Sequence, residues 1–192
     1  MMGKTRTGAY IPLPAVPLVL VGANVRGRPN YLPVGFVAGV NAEPAVVCVG
    51  LNKAHHTTAG ILESGTFSLN VPPAGLVAEA DFCGLVSGRE ADKSRLFTTF
   101  YGGLGTAPLI EECPVVCECR LVGPKVEFAM DTVFFGEVAQ VYVDEGLLGP
   151  GGRVDAAKAR PFVFCGLENR YRALGEELGS AWSAGKGLLK AL

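Results

Sequence analysis

Charged residues are scarce in this chain of 192 residues, at 18% against the usual quarter or so. Hydrophobic residues make up 49%, and this excess suggests either a large core or a surface partly covered by another subunit. The net charge of −1 provides no global positive field for nucleic acid, so we expect no nucleic-acid partner. The length suits one domain, residues 1–192, with a single core.

Long hydrophobic runs are also missing. The longest apolar stretch, Pro14 to Val25, is interrupted by prolines, a glycine and an asparagine, and it is too short to cross a bilayer. The first six residues lack the apolar stretch and cleavage site of a signal peptide. We therefore expect no membrane association and a cytoplasmic location, where cysteines are normally reduced.

The cysteines do not have the spacing of a metal site. Cys113, Cys117 and Cys119 are close in sequence, but no histidine lies nearby and the pattern is not that of a zinc site. On a strand Cys117 and Cys119 would be about 7 Å apart, which is too far for a relaxed disulfide. We expect buried structural thiols and no metal, with Cys83 as the most exposed thiol.

The common nucleotide and hydrolase motifs are missing too. The chain contains no G-x-G-x-x-G, and the glycines around Lys186 miss the P-loop spacing and lack the hydroxyl residue that follows its lysine. No G-x-S-x-G elbow is present, which argues against a serine hydrolase.

What the sequence does contain is a series of strand patterns. Because the strands are not regularly interleaved with helices, the pattern predicts a mainly β fold, a closed or nearly closed barrel with two or three peripheral helices. The helices are predicted at 55–64, 74–86 and 171–192. The strands are predicted at 14–25, 32–40, 45–51, 65–71, 115–122, 125–130, 132–144 and 162–164, with a turn at 26–30.

Segment 52–58 is the most informative polar stretch, because it holds both histidines beside a lysine and two threonines, directly after an apolar strand. A phosphate group needs several short-range donors, and a helix that begins here would add backbone N–H groups. A solvated loop with a threonine cap explains the spacing equally well. A second, weaker anion-binding pattern runs from Ser87 to Lys93.

Four stretches in this order resemble the flavin reductase-like, FMN-binding split-barrel family, and within it the flavoredoxin branch. They are 17–22 with 27–30, 44–53 with 57–58, 65–72, and 84–89 with 92–93. The tail from 171 to 186 is also similar to the flavoredoxin tail. The likeness therefore extends over nearly the whole chain.

The resemblance implies a split β-barrel with Greek-key-like strand order, FMN as the cofactor, and a homodimer with flavin near its interface. In such families the flavin ring lies against the segment after the first hairpin, and the phosphate lies on the lysine and threonine segment. Relatives often carry a small hydroxyl or tryptophan near the ring, where this chain has 34–36, Val-Gly-Phe. The implied cofactor-binding residues are Asn30, Tyr31, Leu32, Pro33, Val34, Gly35, Phe36, Asn52, Lys53, His56, Thr57, Thr58, Ser87 and Lys93.

The function implied by the resemblance is electron transfer from NAD(P)H, or from a protein donor, through bound FMN. No acid or base stands out as a catalytic residue, and the flavin itself supplies the redox chemistry. Two alternatives stay open: a non-enzymatic FMN electron carrier, and a flavin-binding protein without NAD(P)H turnover.

Overall fold

The computed structural model describes residues 3–190, and the side chains of residues 3–188. The α-helices in this part of the chain are α1 His56–Ser64, α2 Val77–Leu85 and α3 Ala156–Ala159. No helix among these residues is long and apolar enough to span a membrane. The strands are β1 Val16–Pro17, β2 Val19–Val25, β3 Arg28–Val34, β4 Val37–Ala42, β5 Ala45–Asn52, β6 Thr66–Val71, β7 Thr99–Tyr101, β8 Pro108–Ile110, β9 Val115–Leu121, β10 Val126–Glu127, β11 Asp131–Val143, β12 Phe162–Cys165 and β13 Arg170–Ala173.

Eight antiparallel strands form one curved sheet. Seven follow the order β3-β2-β6-β9-β11-β5-β4, and β10 pairs with β11. The two edge strands, β3 and β4, are consecutive in the chain and are separated by Gly35 and Phe36. The N–H of Gly50 on β5 donates to the carbonyl of Phe36 at 2.8 Å, which extends the β4–β5 pairing to the start of this connection. No ladder joins β3 to β4 within residues 3–190, so the barrel is open.

The curved sheet separates two apolar clusters. Because successive side chains of a strand point to opposite faces, β2 sends Val19, Val21 and Ala23 into the barrel and Leu20 outward. The outer cluster is covered by α2 and by the segment around β8. The barrel interior is completed by Leu32, Val34, Val49, Leu51, Ile61, Phe67, Leu69, Cys119 and Phe134.

The first hairpin is tighter than the predicted turn at 26–30. Its turn consists of Arg26 and Gly27, with φ of 52° and 75°, as a two-residue hairpin of the primed type requires. Pro29 and Asn30 therefore lie within β3. Proline has no N–H to donate, but β3 is an edge strand, so Pro29 and Pro33 are both accommodated.

The predicted strand 32–40 is two strands, because the chain leaves one edge of the sheet at Gly35 and joins the other edge at Val37. In place of the predicted strand 125–130, the structure has only β10, which is two residues long. The prediction of strand 65–71 is confirmed by β6, and that of helix 55–64 by α1. The helix ends at Gly65, whose N–H donates to the carbonyl of Ile61.

The predicted helix 171–192 is wrong over its described residues, and its last two residues lie outside them. Residues 170–173 form β13, which pairs with β12, and a short 3-10 helix at Lys186–Lys190 is the helical part. Four glycines after residue 174 disfavour a helix. The segment 174–185 is exposed, with Leu178 fully exposed and Trp182 96% exposed.

Candidate functional site

Two adjacent pockets lie along β3. An apolar pocket of about 420 Å³ is lined by the N-terminal segment from Tyr10 to Val16, by residues 32–36 and by residues 164–167. A basic basin of about 960 Å³ is lined by residues 25–30, one face of α1 and the loop 88–93. Both volumes are in the range of ligand sites. The single strand β3 therefore contributes its first half to the basin and its second half to the apolar pocket.

The apolar pocket has one polar end. Phe36, which is 52% exposed, lies over Gly50, where a Cβ atom would be 3.1 Å from the Cβ of Phe36. Asn52, His55 and Asp131 line the end of the pocket nearest β5 and β11. A flat aromatic ligand with polar groups along one edge matches this distribution of side chains.

The basic basin is built from three separate parts of the chain. Asn30 on β3 is buried, and its Nδ2 donates to Oγ1 of Thr57 on α1 at 2.7 Å. A Cβ atom on Gly88 would lie 2.0 Å from Oδ1 of Asn30, so the loop approaches this closely because residue 88 has no side chain. The hairpin adds Arg26 and Arg28 to the same basin.

Lys93 lines the basin and is buried. Its Nζ donates to the carbonyl oxygens of Tyr31, at 3.2 Å, and Cys83, at 2.5 Å, so it ties β3 to the end of α2. An ammonium group has three donors, and these bonds use two of them. Burial lowers the pKa of this lysine from its ordinary value.

Positive charge dominates the field at His56. Partial burial lowers its pKa from 6.5, and the neighbouring Arg89, Arg26 and Lys93 lower it further. The imidazole is therefore disposed to be neutral near pH 7. An anion placed among these groups would reverse that effect, because it would favour the charged imidazolium.

Nine of the fourteen predicted site residues line the two pockets. The residues after the first hairpin, which the family resemblance assigns to the flavin ring, line the apolar pocket from Leu32 onward. Asn30, His56 and Lys93 line the basin. Leu32, Pro33, Val34, Gly35, Phe36 and Asn52 line the apolar pocket.

Tyr31 and Lys53 lie away from both pockets. Tyr31 is fully buried in the outer cluster, and its hydroxyl is 2.8 Å from Oγ1 of Thr99. Successive side chains of a strand lie on opposite faces, so Tyr31 lies on the other face of β3 from Asn30 and Leu32. The side chain of Lys53 is 41% exposed and forms an ion pair with Glu127 at 3.7 Å. The structure therefore places Lys53 outside the lining of both pockets, and its contact with phosphate stays a prediction.

Thr57, Thr58 and Ser87 support the pocket walls instead of lining them. Thr57 is buried and accepts the hydrogen bond from Asn30. Thr58 is buried and its Oγ1 donates to the carbonyl of Asn52 at 2.8 Å. The hydroxyl of Ser87 accepts from the N–H of Arg89 at 3.2 Å, which shapes the loop.

The sequence patterns do not identify Arg26, Arg28 or the outer wall of the apolar pocket. The pattern at 26–30 predicts only a turn, and the arginines on both sides of Gly27 are the signal that could have indicated an anion site. Arg89 lines the basin and donates to the carbonyl of Ala54 at 2.9 Å. Nothing in the local pattern of Tyr10 or Phe164 indicates that they face the same pocket.

The expected exposure of Cys83 is wrong. Its side chain, on α2, is fully buried in the outer cluster, and burial raises the pKa of its thiol to about 11. A thiol with so little thiolate is a poor nucleophile. Cys117 and Cys119 are free, with their sulfur atoms 3.8 Å apart on the inner face of β9.

The family model described as the flavin reductase like domain matches residues 14–172. The chain belongs to the flavin reductase-like family. The predicted family and the split-barrel fold are both confirmed. Comparison with curated proteins finds no match.

Solved structures of flavoredoxins are similar to this chain over nearly its whole length. The flavoredoxin from Methanosarcina acetivorans is 41% identical, with a TM-score of 0.92, over 97% of this chain and 99% of that chain. The flavoredoxin of Desulfovibrio vulgaris is 34% identical, with a TM-score of 0.89, over 96% and 100% of the two chains. An FMN-binding protein from Thermus thermophilus, solved with bound 1-cyclohex-2-enone, is 25% identical, with a TM-score of 0.79, over 93% and 99%.

Proposed function

We propose that this protein is a flavoredoxin-like redox protein that holds one FMN across the two pockets. The observation that carries the proposal is that β3 lines the basic basin with its first half and the apolar pocket with its second half. The flavin ring would occupy the apolar pocket, and the phosphate would lie in the basin beside His56, Lys93 and Arg89. The ribityl chain, which joins the ring to the phosphate, would pass along Asn30 and Leu32.

The cofactor is FMN. The neighbours at 41% and 34% identity are flavoredoxins, and the Thermus neighbour is an FMN-binding protein. The residues of this chain fit FMN, because the apolar pocket suits the flavin ring and the adjacent basic basin suits the phosphate. Residues 1–192 are proposed to form a single domain around this site.

The bound flavin supplies the redox chemistry, and the protein binds, orients and shields it. The backbone and side chains of β3 would hold the ring, and Phe36 and Tyr10 would keep water from part of it. Asn30 is held by Thr57 at the centre of the path. Electrons would arrive from NAD(P)H or from a protein donor and leave to an acceptor at the open side of the pocket.

A homodimer with flavin near its interface is part of the proposal. Large apolar side chains are exposed around the β4 and β5 edge and the β10–β11 hairpin, including Val40 at 49%, Phe128 at 61% and Met130 at 68%. Such surface is typical of an interface between subunits. Phe36 belongs both to this region and to the apolar pocket, so a second subunit placed here would also cover the ring.

Absorption spectroscopy tests the cofactor. We expect the purified protein to show a flavin spectrum, with FMN released on denaturation. A colourless protein that binds neither FMN nor riboflavin would overturn the proposal.

Steady-state oxidation of NADH and NADPH then separates the alternatives. Turnover supports an NAD(P)H-dependent oxidoreductase. If the FMN-loaded protein does not oxidise NADH or NADPH but accepts electrons from a donor protein, it is a non-enzymatic electron carrier. If neither the nicotinamides nor a donor protein reduces it, it is a flavin-binding protein. Cell fractionation tests the predicted cytoplasmic location.

A further inference from the structure

We propose that Cys117 and Cys119 form a redox-active dithiol, which hydrogen peroxide oxidises to a reversible disulfide. Both residues belong to β9 and are two positions apart, so their side chains lie on the same face of the strand. Their sulfur atoms are 3.8 Å apart, and both thiols are free. This inference goes beyond the proposed function, because the flavin takes no part in it.

The two thiols differ in exposure. Cys119 is fully buried in the barrel interior, whereas Cys117 is only partly buried. On the neighbouring strand β11, Val141 pairs with Cys117 and is 46% exposed, so this part of β9 is close to solvent. A small oxidant can therefore reach Cys117 while Cys119 stays in contact with it from the interior. Redox-sensing cysteines commonly have this arrangement, in which an accessible thiol lies next to a resolving thiol.

The hydrogen bond between the thiols prepares Cys117 for the reaction. With Cys119 as the donor, this bond lowers the pKa of Cys117, burial acts in the opposite direction, and a hydrogen bond from the backbone of Leu69 lowers the pKa as well. The same bond and burial raise the pKa of Cys119. Because the thiolate is the nucleophile, Cys117 is the thiol that attacks and Cys119 is the thiol that resolves.

The oxidation takes two steps and needs no reactant besides hydrogen peroxide. The thiolate of Cys117 attacks one peroxide oxygen, the O–O bond breaks, and a sulfenic acid forms while the leaving hydroxide takes up the thiol proton. The sulfur of Cys119 then attacks the sulfenic sulfur, the S–O bond breaks, and the hydroxide leaves as water with the proton of Cys119. Two thiols and one hydrogen peroxide thus give one disulfide and two water molecules, and two electrons pass from sulfur to oxygen.

The geometry of the strand makes this disulfide easy to reduce. Two residues of an antiparallel strand span about 6.8 Å between Cα atoms, at the upper end of the range that a disulfide bridges. A bond at this limit is strained, and strain makes it more reducible. The partner strand has a bulge between Val138 and Gln140, opposite Cys119 and Glu118. A bulge disrupts the ladder locally, so β9 can adjust here more readily than in a regular ladder.

Disulfide mapping on the intact protein tests the inference. The reduced protein is treated with hydrogen peroxide, its remaining thiols are blocked with N-ethylmaleimide in denaturant, and the chain is cleaved after glutamate residues. Cleavage at Glu118 separates the two cysteines, so their fragments stay together only if a disulfide joins them. We expect joined fragments, with the other four of the six cysteines blocked, and we expect dithiothreitol to separate them.

Cys48 is the internal control, because it is partly buried like Cys117 but has no sulfur partner among the described side chains. Cys117 should lose its reactivity toward N-ethylmaleimide at least about tenfold faster than Cys48, since the thiolate content governs the rate. Cys119→Ala removes the resolving thiol, so peroxide should convert Cys117 to a sulfinic acid that dithiothreitol does not reduce. Cys48→Ala should form the disulfide as the wild type does.

Two results would overturn the inference: fragments that separate after peroxide treatment of the wild type, or oxidation of Cys117 no faster than that of Cys48. Both measurements use the wild-type protein, so they decide the question even if a variant does not fold. Neither measurement involves FMN or riboflavin, so failure of this inference and failure of the proposed function are distinguishable.

Discussion

At the scale of single residues, His56 reports the charge of the basin. Burial and three cationic neighbours lower its pKa from 6.5 in the free protein. A bound phosphate should raise that pKa, because its negative charge stabilises the imidazolium. Because His56 then has a higher pKa in the complex than in the free protein, FMN should bind more tightly as the pH falls through these two pKa values.

NMR titration of the two imidazole rings measures this effect. We expect the His56 pKa to be below 6.5 without ligand and to increase with FMN, and riboflavin, which lacks the phosphate, should leave it unchanged. His55 lines the apolar pocket and provides the internal comparison. An equal response to riboflavin and FMN would contradict the placement of phosphate beside His56.

Lys53 and Arg89 make a matched pair of exposed cations with opposite expected roles. Lys53→Ala removes an exposed cation that pairs with Glu127 and does not line either pocket, so FMN affinity should change by less than about fivefold, or about 1 kcal/mol. Arg89→Ala removes a basin side chain and should weaken FMN by about tenfold or more while sparing riboflavin. Calorimetric titration measures both. A larger loss for Lys53→Ala than for Arg89→Ala would show that the phosphate lies elsewhere.

At the scale of elements, the contact between β3 and α1 depends on one buried hydrogen bond. Thr57→Val keeps the side-chain shape but leaves Nδ2 of Asn30 without its acceptor. We expect the free energy of unfolding to fall by about 1–3 kcal/mol, as for a buried donor left unpaired. Urea denaturation followed by circular dichroism measures the change.

A double variant controls for lost packing. Asn30→Val combined with Thr57→Val removes both partners, so the penalty for an unpaired donor disappears. The double variant should therefore cost less than the sum of the two single changes. A strictly additive result would show that the hydrogen bond between these residues does not matter for stability.

The elements that the sequence predicts well are those with local signals. Helix α1 begins within one residue of the prediction, and β6 lies between Gly65 and Pro72, which punctuate the chain. The elements that are missed depend on distant partners. Residues 170–173 become a strand because β12 lies beside them. In the same way, Lys53 is drawn to Glu127, 74 positions away, a pairing that no local pattern contains.

At the scale of the whole molecule, the exposed apolar surface predicts assembly. Phe128→Asp combined with Met130→Asp places two charges on that surface, so the protein should elute as a monomer and lose affinity for FMN. Leu62→Asp, on α1 at 52% exposure, is the matched control and should stay dimeric. Light scattering coupled to size-exclusion chromatography measures the mass. A wild-type monomer, or a dimer that tolerates both charges, would refute the assigned interface.

The exposed C-terminal segment determines what intrinsic fluorescence can report. The chain has one tryptophan, Trp182, and it is 96% exposed outside the barrel. In the isolated chain its emission should already be that of a solvated indole, so urea unfolding should hardly shift it while circular dichroism changes. A blue-shifted emission from the assembled protein that moves red on dilution would instead show that this segment packs against the second subunit.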